Sequence, residues 1–133
     1  VAAHPDDEVL GCGGTLLKHV NNGDKVYILF VTEGVSGRYV NKNSKDCLKE
    51  ISKRKKMAQQ ACEYGKFEIV DFLDLKNLEL NKYPHNYLTN IIYKHFQKYK
   101  PEVVYTHYES DLNIDHNHTF ISTFIASRPN NDF

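Results

Sequence analysis

Three short runs of β-branched, aromatic and aliphatic residues punctuate the chain: VYILFV at residues 26–31, FEIVDFL at 67–73 and EVVYTH at 102–107. The first is apolar at every position, the pattern of a strand covered on both faces in a parallel sheet, and the other two read the same way. Val1, Ala2 and Ala3 read as the tail of a further strand. Helical spacing fills the intervals. Residues 7–20 begin with acids, carry Val9, Leu10, Leu16, Leu17 and Val20, and stop before Gly23. Residues 44–64 run from an N-cap serine, Ser44, to Gly65, with Leu48, Ile51, Ala58 and Ala61 as the expected inner stripe. Residues 84–99 place Leu88, Ile91, Ile92, Phe96 and Tyr99 at helical steps before Pro101, and residues 115–127 repeat the pattern with Phe120, Ile121, Phe124 and Ile125.

Strand and helix therefore alternate along the whole chain, which predicts an α/β fold: a Rossmann-like three-layer α/β/α arrangement around a mainly parallel sheet. Residues 1–133 read as one domain, with no internal repeat. The expectation is that it is truncated at both ends, because the first strand lacks its beginning and the chain stops shortly after Arg128 and Pro129.

Charge narrows the partners. Seventeen basic residues balance seventeen acidic ones, so no overall field recruits nucleic acid or an anionic membrane. The lysine-rich stretch KNSKDCLKEISKRKKM has no interleaved aromatics and reads as a solvated helix face. A small-molecule partner is expected, and homo-oligomerisation stays open. Cys12, Cys47 and Cys62 are odd in number and form no C-x-x-C pair, which argues against a disulfide framework or a cysteine zinc site and for a reducing, cytoplasmic setting. No apolar run approaches the roughly 20 residues of a spanning helix.

Polar residues concentrate where the strands end, the edge at which sheets of this kind bind ligands. The first strand runs into His4-Pro5-Asp6-Asp7-Glu8, the second into Thr32-Glu33-Gly34, the third into Asp74 and the fourth into His107 and SDLNIDHNH. His4 and Asp7, three apart at a strand-to-helix turn, can point into one space, and imidazole with carboxylate suits zinc. A third ligand must come from elsewhere, with His107, His116 and His118 as candidates. Acids in a first helical turn also favour the macrodipole, by about 0.3–1 kcal/mol each, but three in a row behind His-Pro exceed what a helix start requires. Gly11, Gly13 and Gly14 miss the spacing of a phosphate loop, and close packing of helix on sheet is the expected reason for them. His19, His85 and His95 read as surface or boundary residues without acidic partners, and Cys12 as a packing residue.

AHPDDEVLGCGGTL, VTEGVSGR and THYESDLNIDHNHTF, in that order after successive strands, resemble the PIG-L/LmbE family of zinc-dependent N-deacetylases over nearly the whole chain. The resemblance implies zinc held by His4, Asp7 and His116, and Asp6 as general base. It implies hydrolysis of the acetamide of an N-acetylated amino sugar, an N-acetylglucosamine-type conjugate, by an activated water. Asn113 stands where the family often has a histidine that assists the oxyanion or leaving group; it can still donate a hydrogen bond in the catalytic site, and either a neighbour such as His107 compensates or another group protonates the leaving amine. Arg54 and Asp74 resemble positions that contact the sugar, Arg38 is a further candidate substrate contact, and Glu8 and Asp115 are expected to support the ligands, Glu8 by orienting an imidazole or capping the helix. Two other readings stand beside this one: a zinc-binding relative or fragment without turnover, and a Rossmann-like nucleotide- or cofactor-binding enzyme that leaves His4 and His116 unexplained.

Overall fold

The computed structural model describes residues 1–128, apart from the side chain of His85. Strands β1, Tyr27–Thr32, and β2, Glu68–Leu75, pair in parallel, with Tyr27 opposite Glu68 and Ile28 opposite Ile69. Ala2 bridges Phe30 on the other side of β1, donating to the Leu29 carbonyl at 2.9 Å and accepting from the Val31 amide at 3.0 Å. The Val1 amino group and the Ala3 amide donate the opposite way, to the Tyr105 carbonyl at 2.8 Å and His107 Nε2 at 2.8 Å. The order across the sheet is thus residues 105–107, residues 1–3, β1 and β2, so the progression along the chain reverses between residues 1–3 and residues 105–107.

Residues 102–107 are not a regular strand, contrary to the sequence expectation. Two bonds join them to residues 1–3, and one of these goes to the His107 side chain rather than to a carbonyl, so these residues do not share a regular ladder. On the other edge, β2 exposes Glu68, Asp71 and Asp74, charges that discourage pairing with another chain.

Helices cover both faces. On β1, Ile28 and Phe30 pack with Leu16 of α1, Asp7–Asn21, and with Ala58 and Cys62 of α2, Lys45–Gly65. Leu29 and Val31 pack with Leu88, Ile92 and Phe96 of α3, His85–Tyr99, and with Ala126 of α4, Ile114–Ala126. The period of two in the strand therefore builds two separate cores and three layers.

Several local expectations shift. The buried stripe of α2 is Cys47, Ala58, Cys62 and Gly65, while Leu48 is 51% exposed. The helix stops at Lys66, which takes the left-handed φ of 57°; Gly65 instead admits the Phe67 ring, whose nearest atoms would lie 2.6 Å from a Cβ there. In α1, a Cβ at Gly11 or Gly14 would meet nothing within 4 Å, so these two glycines are not explained by tight packing on the sheet. The helix kinks at Cys12, between Gly11 and Gly13, where φ is −146°.

Candidate metal centre

The reversal between residues 1–3 and 105–107 creates a crevice at the carboxyl ends of neighbouring parallel segments, the usual ligand position of such sheets. His4 and His107 leave the sheet on either side of it. The His4 turn is held from below by Gly34, which takes φ 72° after β1; a Cβ there would lie 3.1 Å from Pro5 Cδ and 3.2 Å from His4 Cβ. Pro5 and Asp6 reverse the chain, Asp6 at φ 155° and ψ −22°, and Asp7 opens α1 with Oδ2 accepting from the His4 amide at 2.8 Å. Across the crevice, α4 presents His116 from its first turn.

These elements bring three side-chain atoms together. His4 Nδ1 lies 3.0 Å from His116 Nε2 and 3.2 Å from Asp7 Oδ2, and His116 Nε2 lies 3.3 Å from Asp7 Oδ2. Donor atoms around a tetrahedral zinc with bonds of about 2.0–2.1 Å stand about 3.3 Å apart, so the triangle fits such an ion with one position left open. Two imidazoles and a carboxylate are also a suitable donor set. The cluster favours positive charge even without a metal. Burial alone would push the His4 imidazolium down, but hydrogen bonds and charge from Asp115 and Asp7 outweigh it and raise the pKa to about 9. Burial likewise opposes ionisation of Asp7, and the His4 bonds overcome it, holding the carboxyl below its usual range.

Carboxylates brace both imidazoles from behind. Asp115, fully buried, accepts from Asn77 Nδ2 at 3.2 Å, Leu78 N at 2.6 Å and Leu80 N at 3.3 Å, and pairs with His4 Nε2 at 3.1 Å. Asp111 Oδ2 lies 2.9 Å from His116 Nδ1. Glu33, 2% exposed, accepts from the amides of Val35 at 2.7 Å, Ser36 at 2.9 Å and Asn77 at 3.0 Å, tying the loops after β1 and β2 together beneath Asp115. Sequence reasoning assigned no role to Asp111, Asn77 or Glu33. Only the spacing of Asp111, Asn113 and Asp115 offered a signal, since side chains two residues apart in a loop can bond one another's backbone.

The remaining expected site residues take varied positions. Asp6 pairs with Arg54, which also donates to the Pro5 carbonyl at 3.2 Å; Arg54 therefore grips the turn instead of reaching outward. Glu8 folds back to accept from the Asp6 amide at 3.0 Å and does not orient an imidazole; that contact belongs to Asp115. Asn113 is the N-cap of α4, its Oδ1 accepting from the Asp115 amide at 2.9 Å. His107 lies 3.6 Å from Asp7 Oδ2 and stacks on His116 at 4.1 Å between ring centroids. Burial pushes its pKa down to about 4, so it is neutral at pH 7. Asp74 pairs with Lys55 at 2.5 Å inside β2, and Arg38 is exposed at the end of a 3-10 turn, Ser36–Arg38. His19 and His95 do have acidic neighbours, Asp24 at 2.7 Å and Asp71 at 3.5 Å, away from the centre.

Among the described residues no helix is long and apolar enough to cross a membrane. The chain superposes on three solved structures, each over 94% of its own length. One is the N,N'-diacetylchitobiose deacetylase from Pyrococcus horikoshii, solved with its inhibitor MPG, at 25% identity and TM-score 0.75, with 45% of that chain covered. Another is the conserved protein TT1542 from Thermus thermophilus, at 26% identity and TM-score 0.74, with 52% covered. The third, GalB, the 4-carboxy-2-hydroxymuconate hydratase from Pseudomonas putida, shares the fold at 22% identity and TM-score 0.78, with 52% covered. The chain thus spans about half the length of these proteins. No curated protein matches it significantly. The family profile of PIG-L, GlcNAc-PI de-N-acetylase, matches residues 1–126, and the chain belongs to that family.

Proposed function

We propose that this chain carries the metal centre of a zinc-dependent hydrolase that removes the acetyl group from an N-acetylated amino sugar, an N-acetylglucosamine-type small-molecule conjugate. The observation that carries the reading is the 3.0–3.3 Å triangle of His4, Asp7 and His116; Asp6, next to Asp7 in the chain and paired with Arg54, stands outside that ligand set. Family membership and the likeness to a diacetylchitobiose deacetylase support it. The unpaired Cys12, Cys47 and Cys62 are consistent with a cytoplasmic setting.

His4, Asp7 and His116 would hold zinc, which supplies Lewis acidity that brings the pKa of water toward about 7 and polarises a carbonyl. The chain's own residues do the rest. Arg54 occupies Asp6 Oδ2 and leaves Oδ1 free. Oδ1 takes the proton of the attacking water and returns it to the departing amine nitrogen, giving acetate and a free amino sugar. Asp115 and Asp111 hold the two imidazoles. Neutral His107 walls the crevice as a hydrogen-bonding group, and Asn113 serves the helix cap instead of proton transfer. The Asn113 cap also favours a second reading, a zinc-binding relative without turnover.

Acetate release from a panel of N-acetylhexosamine conjugates separates the two. Full-length protein should release acetate, Asp6→Asn should retain zinc and lose turnover, and His116→Ala should lose both. Stoichiometric zinc with no acetate from any conjugate favours the second reading; full activity in Asp6→Asn overturns the proton route.

A further inference from the structure

The segment from Asp111 to His116 carries a ladder of contacts that neither the ligand set nor the general base explains. Asp111 Oδ1 accepts from the Asn113 amide at 2.8 Å, Asn113 Oδ1 accepts from the Asp115 amide at 2.9 Å, and Asp115 Oδ2 meets His4 Nε2 at 3.1 Å. At the other end, Asp111 Oδ2 meets His116 Nδ1 at 2.9 Å. Alternate residues 111, 113 and 115 thus form one strut whose two ends each meet a different ligand imidazole. Both oxygens of Asp111 are engaged, so its carboxylate has little freedom to turn, and the stacked His107 ring, inclined at 24°, limits rotation of His116.

We infer that Asp111 is a positioning residue for the metal: it fixes His116 with its proton on Nδ1, so that the Nε2 lone pair faces His4 and Asp7. The inference rests on the reading of His4, Asp7 and His116 as ligands. A histidine ring has one exchangeable N–H when neutral, and a carboxylate acceptor at one nitrogen places that proton there and raises the basicity of the other. Asn113 then acquires a definite part, as the rung that joins the two carboxylates.

The same residues pose a rival. His107, Asp111 and His116 each offer a donor atom within 4.8 Å of the others, as a second ion would require. With Nε2 already turned to the first centre, such an ion would have to strip His116 of its last ring proton, whereas the 2.9 Å separation is that of a hydrogen bond.

The test is Asp111→Asn in the full-length protein, which keeps an oxygen for the Asn113 amide and removes the charge facing His116. Zinc affinity, measured by competition with a chelator, should weaken about 10- to 100-fold, and the unfolding midpoint of the metal-free protein should barely move. Nitrogen-15 spectra of His116 should show Nδ1 protonated in the wild type, a readout that holds even if the variant fails to fold. Unchanged zinc affinity, an Nε2-protonated His116, or two bound ions of which Asp111→Asn loses one would each overturn the assignment. Wild type that binds no zinc would instead sink the ligand reading, so the two failures are distinguishable.

Discussion

Replacing Asp115 by alanine should be among the most damaging single changes available to this fold. The carboxylate is fully buried and faces four groups: the Leu78 amide at 2.6 Å, His4 Nε2 at 3.1 Å, Asn77 Nδ2 at 3.2 Å and the Leu80 amide at 3.3 Å. A buried donor left without a partner costs about 1–3 kcal/mol. The low end applies because alanine leaves room for water and the Leu80 bond is long, so the loss is about 4 kcal/mol, within the about 3–5 kcal/mol typical of a broken buried pair. Against a total stability of about 5–15 kcal/mol for a domain, that is a large share. With a urea slope of about 1.5–2 kcal/mol per molar, the metal-free midpoint should fall by about 2–3 M.

Acid dependence gives a second readout of the same change. Burial opposes the charge on Asp115, but the His4 and backbone bonds overcome it and hold the carboxyl below its ordinary value. The stabilisation is therefore present above the unfolded value of about 3.9 and is lost as pH falls through the lower folded one. The alanine variant should lose less stability on acidification than wild type. A midpoint shift corresponding to less than about 1 kcal/mol, or an unaltered acid limb, would refute the view of Asp115 as the buried anchor of the centre.

Further outcomes follow from the same geometry. Gly34→Ala should cost about 1–2 kcal/mol for the left-handed backbone alone, and should also weaken zinc binding, because the new Cβ would press on Pro5 Cδ and His4 Cβ at 3.1 and 3.2 Å; Gly11→Ala, which meets nothing within 4 Å, should be neutral or stabilising in the same urea titration. Zinc must displace the His4 proton, whose pKa is about 9, so chelator competition should show affinity rising about tenfold per pH unit between about 6.5 and 9. Metal-free stability should run the opposite way: the His4 contribution is fully present below about 6.5 and disappears as pH rises through about 9. A flat affinity profile would contradict that assignment.

What the sequence disclosed depended on how local the cause was. Strand β1 was legible because burial on both faces leaves no room for a polar residue between 27 and 31. The start of α2 was legible because Ser44 caps it within its own turn, with Oγ accepting from the Cys47 amide at 3.3 Å. The stripe of α2 was misjudged because cysteine packs as a small apolar residue, and Cys47 and Cys62 took places expected of Leu48 and Ala61. The glycines of GCGG drew attention that belonged to Gly34, whose need is set by the approach of Pro5 from a distant part of the chain. Asn77, at 38 residues' separation from Asp115, and Glu33, at 44 from Asn77, act only once the sheet has formed, which no spacing pattern reveals.

The central claim is that zinc bound by His4, Asp7 and His116 drives acetamide hydrolysis, and titrating metal-stripped full-length protein with zinc while recording acetate release tests it most directly. Release should rise in proportion to added zinc, level off at one ion per chain, and stay at background throughout in His116→Ala. Release at the same rate before any zinc is added, or an undiminished rate in His116→Ala, would contradict it.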